Sequence, residues 1–201
     1  MRKLSSLGFV LLLCLTAGTA LAAQRAPLRI AILPVMDQTG GWLDRNSAAV
    51  LSARLHQEFH VPLNGVLQAV EYVSPEDITA AYKTLTETAR LQGKKPSPAE
   101  TTRQLAAALP ADLVLQLAVD SWYEHTYLNG DGDSCVDVCV GLTLYGWNQR
   151  TTTPVKESAG RCVSDDCAVI GGAERQGSEA LEDLLQKTQL RKLVFPLQAT
   201  R

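Results

Sequence analysis

Four cysteines crowd into one stretch toward the carboxy-terminal end of the chain: Cys135, Cys139, Cys162 and Cys167. Thiols at such spacings can cross-link, hold a metal or exchange disulfides. Cys135 and Cys139 interrupt an alternating apolar run, Val136, Val138, Val140, Leu142 and Leu144, which has the period of a strand. Four residues of extended chain separate the two by about 13 Å, whereas a disulfide needs Cα atoms within about 7 Å. Their partners must therefore come from a returning strand. If the chain turns near Arg150 and Thr151, facing residues have numbers that add to about 301. Cys139 with Cys162 adds to 301 and Cys135 with Cys167 to 302. The expected cross-links are Cys139–Cys162 and Cys135–Cys167, with a bulge or a strand end before Cys167.

Metal chemistry is the competing use of these residues. Cys135-Val-Asp-Val-Cys139 has the spacing of the copper-carrying CxxxC of cytochrome-oxidase assembly factors, but such a motif belongs on a loop opening a helix. A zinc site would need pairs near C-x₂-C spacing, and a thiol oxidoreductase a CxxC at a helix start; neither pattern occurs. Asn129, Asp131, Asp133 and Asp137 resemble the opening of a calcium loop, yet Val140 stands where the twelfth-position Glu belongs. Gly and Asp at that density also make a tight turn. His56 and His60 are four apart on a candidate helix, but Glu58 is not in HExxH order. No G-x-S-x-G, Ser/His/Asp set or phosphate loop occurs. The reading is a non-catalytic protein without a cofactor; the alternative is a periplasmic metal-binding protein, taking calcium or copper through the Asn129–Asp137 cluster or the cysteines.

The amino-terminal residues carry an address. Arg2 and Lys3 precede an apolar run from Leu7 to Leu15, and Ala20-Leu21-Ala22 gives a small-x-small cleavage pattern. Together these read as a signal peptide, residues 1–22, cleaved after Ala22. Cys14 lacks the small residue that should precede a lipidated cysteine. The expectation is a free periplasmic or secreted protein with one domain over residues 23–201, in a compartment where thiols oxidise. Losing Arg2 and Lys3 takes the formal charge from −2 to −4. A mildly acidic chain without a basic patch excludes nucleic acid as a partner. The mature sequence has no second apolar run of membrane-spanning length.

Around the cysteines the elements follow from pattern. Leu28 to Val35 is a buried strand that Pro34 ends. Asp44 caps a helix through Ala48, Leu51, Leu55 and Phe59, and Leu67 to Val73 is a short strand. Ser74-Pro75-Glu76-Asp77 opens a helix, and Ser97-Pro98-Ala99-Glu100 opens another to about Leu109. Asp112 to Asp120 alternates as a strand that Trp122 to Leu128 extends. Two more strands and a final helix from about Ala173 complete an α/β (α+β) chain in the order β-α-β-α-α-β-β-β-α, a mixed sheet with helices packed on it.

Arg29-Ile-Ala-Ile-Leu-Pro-Val35, followed by Asp37-Gln38-Thr39-Gly40, resembles the opening strand and loop of a group of bacterial envelope proteins. The group includes the curli-secretion lipoprotein, the outer-membrane lipoprotein activators of penicillin-binding proteins, and the amino-terminal domain of TolB. Ala111-Asp-Leu-Val-Leu-Gln-Leu117 is similar to a later strand of the same fold. The resemblance implies a domain that binds another envelope protein or self-assembles. The element placed to make that contact is the cross-linked hairpin, through its non-valine face: Asp137, Thr143, Tyr145 and Trp147.

Overall fold

The computed structural model describes residues 26–61, 64, 69–166 and 172–194. Strand β1 (Leu28–Ile32) and the two-residue β2 (Met36–Asp37) precede helix α1 (Arg45–Glu58). Strand β3 (Val70–Tyr72) leads to α2 (Pro75–Leu91) and α3 (Pro98–Ala108). Three long strands follow, β4 (Leu113–Leu128), β5 (Ser134–Asn148) and β6 (Thr153–Asp166), then α4 (Gly172–Thr188) and the single turn α5 (Leu190–Val194). The expected order holds, with β2 and α5 added. Strand β2 exists because the chain resumes pairing beyond Pro34: Met36 and Asp37 lie beside Ala118 and Val119 of β4.

The sheet runs β3-β1-β4-β5-β6, with β2 beside β4. It is parallel at β3, β1 and β2 and antiparallel through β4, β5 and β6. Helices cover both faces. On one face α1 and α4 bury Leu51, Leu55, Leu181, Leu184 and Leu185 against Ile30, Leu115, Leu117, Leu142 and Leu144. On the other, Ile78 of α2 and Leu105, Ala106 and Leu109 around α3 meet Ala31, Leu33 and Val114. The helix starts are built as their sequences specify. Asp44 Oδ1 accepts from the Asn46 and Ser47 N–H groups, and Ser74 Oγ and Ser97 Oγ accept from those of Asp77 and Glu100. No described helix is long and apolar enough to cross a membrane.

Asp112 fastens the near end of this sheet. Its carboxylate accepts from the Arg29 backbone N–H and from Arg150 Nη2, each at 2.9 Å, and Arg150 Nε lies 2.9 Å from the second oxygen. One side chain thus joins β1, β4 and the β5–β6 turn. Burial pushes the carboxyl up, but the Arg150 and Arg29 contacts outweigh it and hold Asp112 below the ordinary 3.8.

Strand β4 carries one residue too many. Val119 faces Leu142 and Ser121 faces Gly141, so Asp120 is a β-bulge. A bulge brings two side chains onto one side of the sheet opposite a single residue, and here that residue is glycine. A Cβ on Gly141 would come within 2.8 Å of Ser121 Oγ and 3.8 Å of Asp120 Cβ. The extra residue also inverts parity. Before it, the odd residues Leu113 to Val119 face α1 and α4; after it the even ones do, beginning with Trp122. Trp122 lies across Gly177 of α4, where a Cβ would fall 2.6 Å from its ring.

Two measurements test these contacts. Gly177→Ala should raise helix propensity by about 1 kcal/mol, yet we expect a net loss of about 1 kcal/mol or more in chemical denaturation, because the methyl overpacks the Trp122 ring. The loss should shrink in a Trp122→Leu background. Asp112→Asn should cost about 1 kcal/mol at pH 7. A carboxyl lowered by folding adds stability above its unfolded pKa, so the gap between variant and parent should close as pH falls from about 5 toward 2.

Candidate functional site

Beyond the bulge the last half of β4, the first half of β5 and the last half of the returning β6 form a three-stranded arm whose two faces are treated differently. One face is braced by α4. Trp122 is buried there, and Glu124 Oε2 accepts from the Ala173 N–H at 2.8 Å, supplying the acceptor that the start of α4 needs. Gly172 is glycine because a Cβ would overlap the Glu124 carboxylate. The opposite face carries no described helix, though Cys135 toward its tip is buried. The core cluster under α2 and α3 ends at Val114 and Trp147, while Tyr123, His125, Gly160 and Cys162 are exposed.

A row of rings occupies that open face. Tyr123, His125 and Tyr127 alternate along β4; their ring centroids are 6.5 and 5.8 Å apart, with 16° between planes at each step. Tyr123 is 43% exposed, and Leu128 at the tip is 72% exposed. The row faces β5 in register: Tyr123 opposite Cys139, His125 opposite Asp137, Tyr127 opposite Cys135. Cys139 is in turn bonded to Cys162 across β5 and β6, with Cα atoms 4.1 Å apart.

The hairpin register is the expected one. Residue pairs from Asn148↔Thr153 to Val138↔Val163 keep the relation that places Cys139 opposite Cys162. The ladder then slips by one at Val136↔Asp166, the bulge that a Cys135–Cys167 link requires. Cys135 is disulfide-bonded; Cys167 lies outside the described residues.

The four residues chosen from sequence for partner contact do share a face, but the structure divides them. Asp137 is half-buried on the open arm. Thr143 is 5% exposed, its hydroxyl donating to Asp120 Oδ2 at 2.6 Å and sharing a hydrogen bond with Ser158 Oγ at 2.9 Å. Asp120 lies on the same face as Ala118, which pairs with Thr143, and so its carboxylate is within reach of that hydroxyl. Tyr145 is half-buried beneath Lys156, whose Nζ is 5.7 Å from the ring; burial and then the Asp120 charge push its phenol up. Trp147 packs on the core under α2 and α3 and donates from Nε1 to Gln149 at 2.9 Å. Tyr123 and His125 take their place as the exposed residues, with Tyr127 half-buried beside them. Their alternation was visible in the sequence; the face they would occupy was not.

The acidic turn and His56 are engaged in local structure. Asn129 Oδ1 accepts from the Asp131 and Asp133 N–H groups at 3.0 and 2.8 Å, and Gly132 takes φ +87°. His56 Nδ1 is 2.8 Å from the Ser52 carbonyl, and its ring lies against Tyr72. Cys139 and Cys162 are occupied by each other, which removes them as copper or zinc ligands. Among the described residues no three His, Cys, Asp or Glu side chains are grouped to hold a metal.

Removing the rung should be costly. Closing a loop of 23 residues stabilises by about 3 kcal/mol on the chain-entropy account. A Cys139→Ala, Cys162→Ala double variant should lose stability on that order in denaturant titration. Peptide mapping of the oxidised parent should recover Cys139–Cys162 and, as the second link, Cys135–Cys167.

No protein-family profile matches the sequence, and no curated protein matches it. Among solved structures, the hypothetical protein CT253 from Chlamydia trachomatis is similar at 12% identity over 85% of this chain and 99% of that one, with a TM-score of 0.49. The lipoprotein GNA1162 from Neisseria meningitidis is similar at 14% identity over 81% and 99%, with a TM-score of 0.43. The PelC dodecamer from Paraburkholderia phytofirmans is similar at 17% identity over 82% and 89%, with a TM-score of 0.41.

Proposed function

We propose that this chain works outside the cytoplasm by binding another protein of the envelope, without catalysis, and that the open face of the β4–β6 arm is its contact surface. The observation that carries the reading is the Tyr123–His125–Tyr127 row. It stands on β4, beside the β5–β6 pair cross-linked at Cys139–Cys162, and is braced from behind by Trp122 and Glu124. Tyrosine brings large contact area at low entropic cost, and a rigid sheet holds it ready. Asp137, opposite His125, adds a carboxylate to the same patch. The leader over residues 1–22 and the cross-linked hairpin support an oxidising compartment, periplasmic or extracellular.

The test is substitution on the open face. Tyr123→Ala with His125→Ala should change stability by no more than about 0.5 kcal/mol each, as exposed positions do. The same variant should lose at least about tenfold in recovery of the partner cross-linked to purified protein in envelope extracts, read by quantitative mass spectrometry. Unchanged recovery with an intact fold would remove the surface from consideration.

A further inference from the structure

Helices α2 and α3 leave a cleft of about 800 Å³ between them, a volume within the range of small-molecule sites. Its walls are two facing stripes: Ala81, Leu85 and Ala89 on α2, and Gln104 and Ala108 on α3. The side chains are too small to fill the space. Of the 17 residues of α2 only Ile78 is buried, while Ala81, Tyr82 and Leu85 pack against the core at the base of the cleft and stay partly exposed. The α2 stripe runs from Ala81 to Gln92, about 16 Å at the helical rise. Thr84 and Thr88 also line it, but their hydroxyls already donate to the Ala80 and Thr84 carbonyls at 3.0 and 2.8 Å. The wall they offer is correspondingly less polar.

One end of the cleft is positive and fixed in place. Gly93 takes φ +64°, its N–H donates to the Arg90 carbonyl and the Lys94 N–H to that of Ala89, at 3.1 and 2.9 Å. This left-handed cap stops α2 and sets where Lys94 and Lys95 enter the cleft. Neither lysine is in an ion pair among the described residues. Glu100 is the one carboxylate in the lining, and it accepts from Gln104 Nε2 at 3.1 Å. An open cleft with an aliphatic stripe of Ala81, Leu85, Ala89 and Ala108 along it and two cations in its lining is complementary to a chain of methylenes ending in an anion.

We propose that the cleft binds a single-chain fatty acid, its acyl chain between α2 and α3 and its carboxylate at Lys94 and Lys95. The test uses the purified protein with laurate below its micelle concentration, followed by backbone amide NMR, with dodecylamine and butyrate as comparison ligands. Laurate should titrate saturably and shift amides of Ala81–Gln92 and Glu100–Ala108, while dodecylamine and butyrate bind at least about tenfold more weakly. Lys94→Glu with Lys95→Glu, both exposed, should weaken laurate by at least about tenfold. Ala89→Phe should abolish binding by occupying the channel, and both variants should keep the parent melting temperature. If dodecylamine binds as tightly as laurate, the cations play no part and the proposal fails. It fails equally if butyrate matches laurate, if the shifted amides lie elsewhere, or if the glutamate variant binds unchanged.

Discussion

The bulge at Asp120 is the constraint on which the rest of this structure turns. A strand of 16 residues without it would keep the same parity throughout. Trp122 would then point away from α4, and Tyr123, His125 and Tyr127 would lie beneath it. One extra residue reverses this arrangement, because the side-chain period of a strand is two. The tryptophan goes inside, where it packs on Gly177, and Glu124 comes round to the start of α4. Gly141 fits the device: two side chains on β4 share the space opposite one residue of β5, and a Cβ there would displace the Ser121 hydroxyl.

The same inversion gives the molecule two halves with different means of support. In the near half, helices cover both faces and apolar burial holds the sheet, with Asp112 tying three elements at its end. In the arm, helix covers one face only. A three-stranded sheet exposed on one side buries little apolar surface and is marginal by itself. The disulfide between Cys139 and Cys162 supplies what packing does not, by restricting the unfolded chain. The edge of β6 is guarded as well. Lys187 Nζ donates to the Ser158 carbonyl, and Arg161 bridges Glu179 and Asp183 of α4. Such charges discourage strand-to-strand association along the edge.

Most of the fold was legible because its signals are local. Ser74-Pro75 and Ser97-Pro98 state their helix starts outright, and Asp44 does so as a capping residue. The hairpin register was legible because cysteines report distance directly: paired numbers fix where a turn must lie. The surface was less legible. Period-two alternation correctly put Asp137, Thr143, Tyr145 and Trp147 on one face, but how far a helix extends over that face is a tertiary fact. Thr143 is buried through Asp120, a residue from the neighbouring strand whose side chain reaches across to it. Nothing in residues 113–128 marks Asp120 as the extra one. The signal lies in the partner strand, as Gly141 among β-branched and large neighbours, and it can be read only once the two strands are paired.

A sheet face that carries aromatic rings without a covering helix needs another source of rigidity, and here it is a covalent one. Cross-strand disulfides persist only where thiols stay oxidised. The open face is therefore a feature that the cytoplasm would not support, since reduction of the rung would leave the arm to its own marginal packing. The rung and the aromatic row therefore belong together, the first supplying the rigidity that the second lacks without a covering helix.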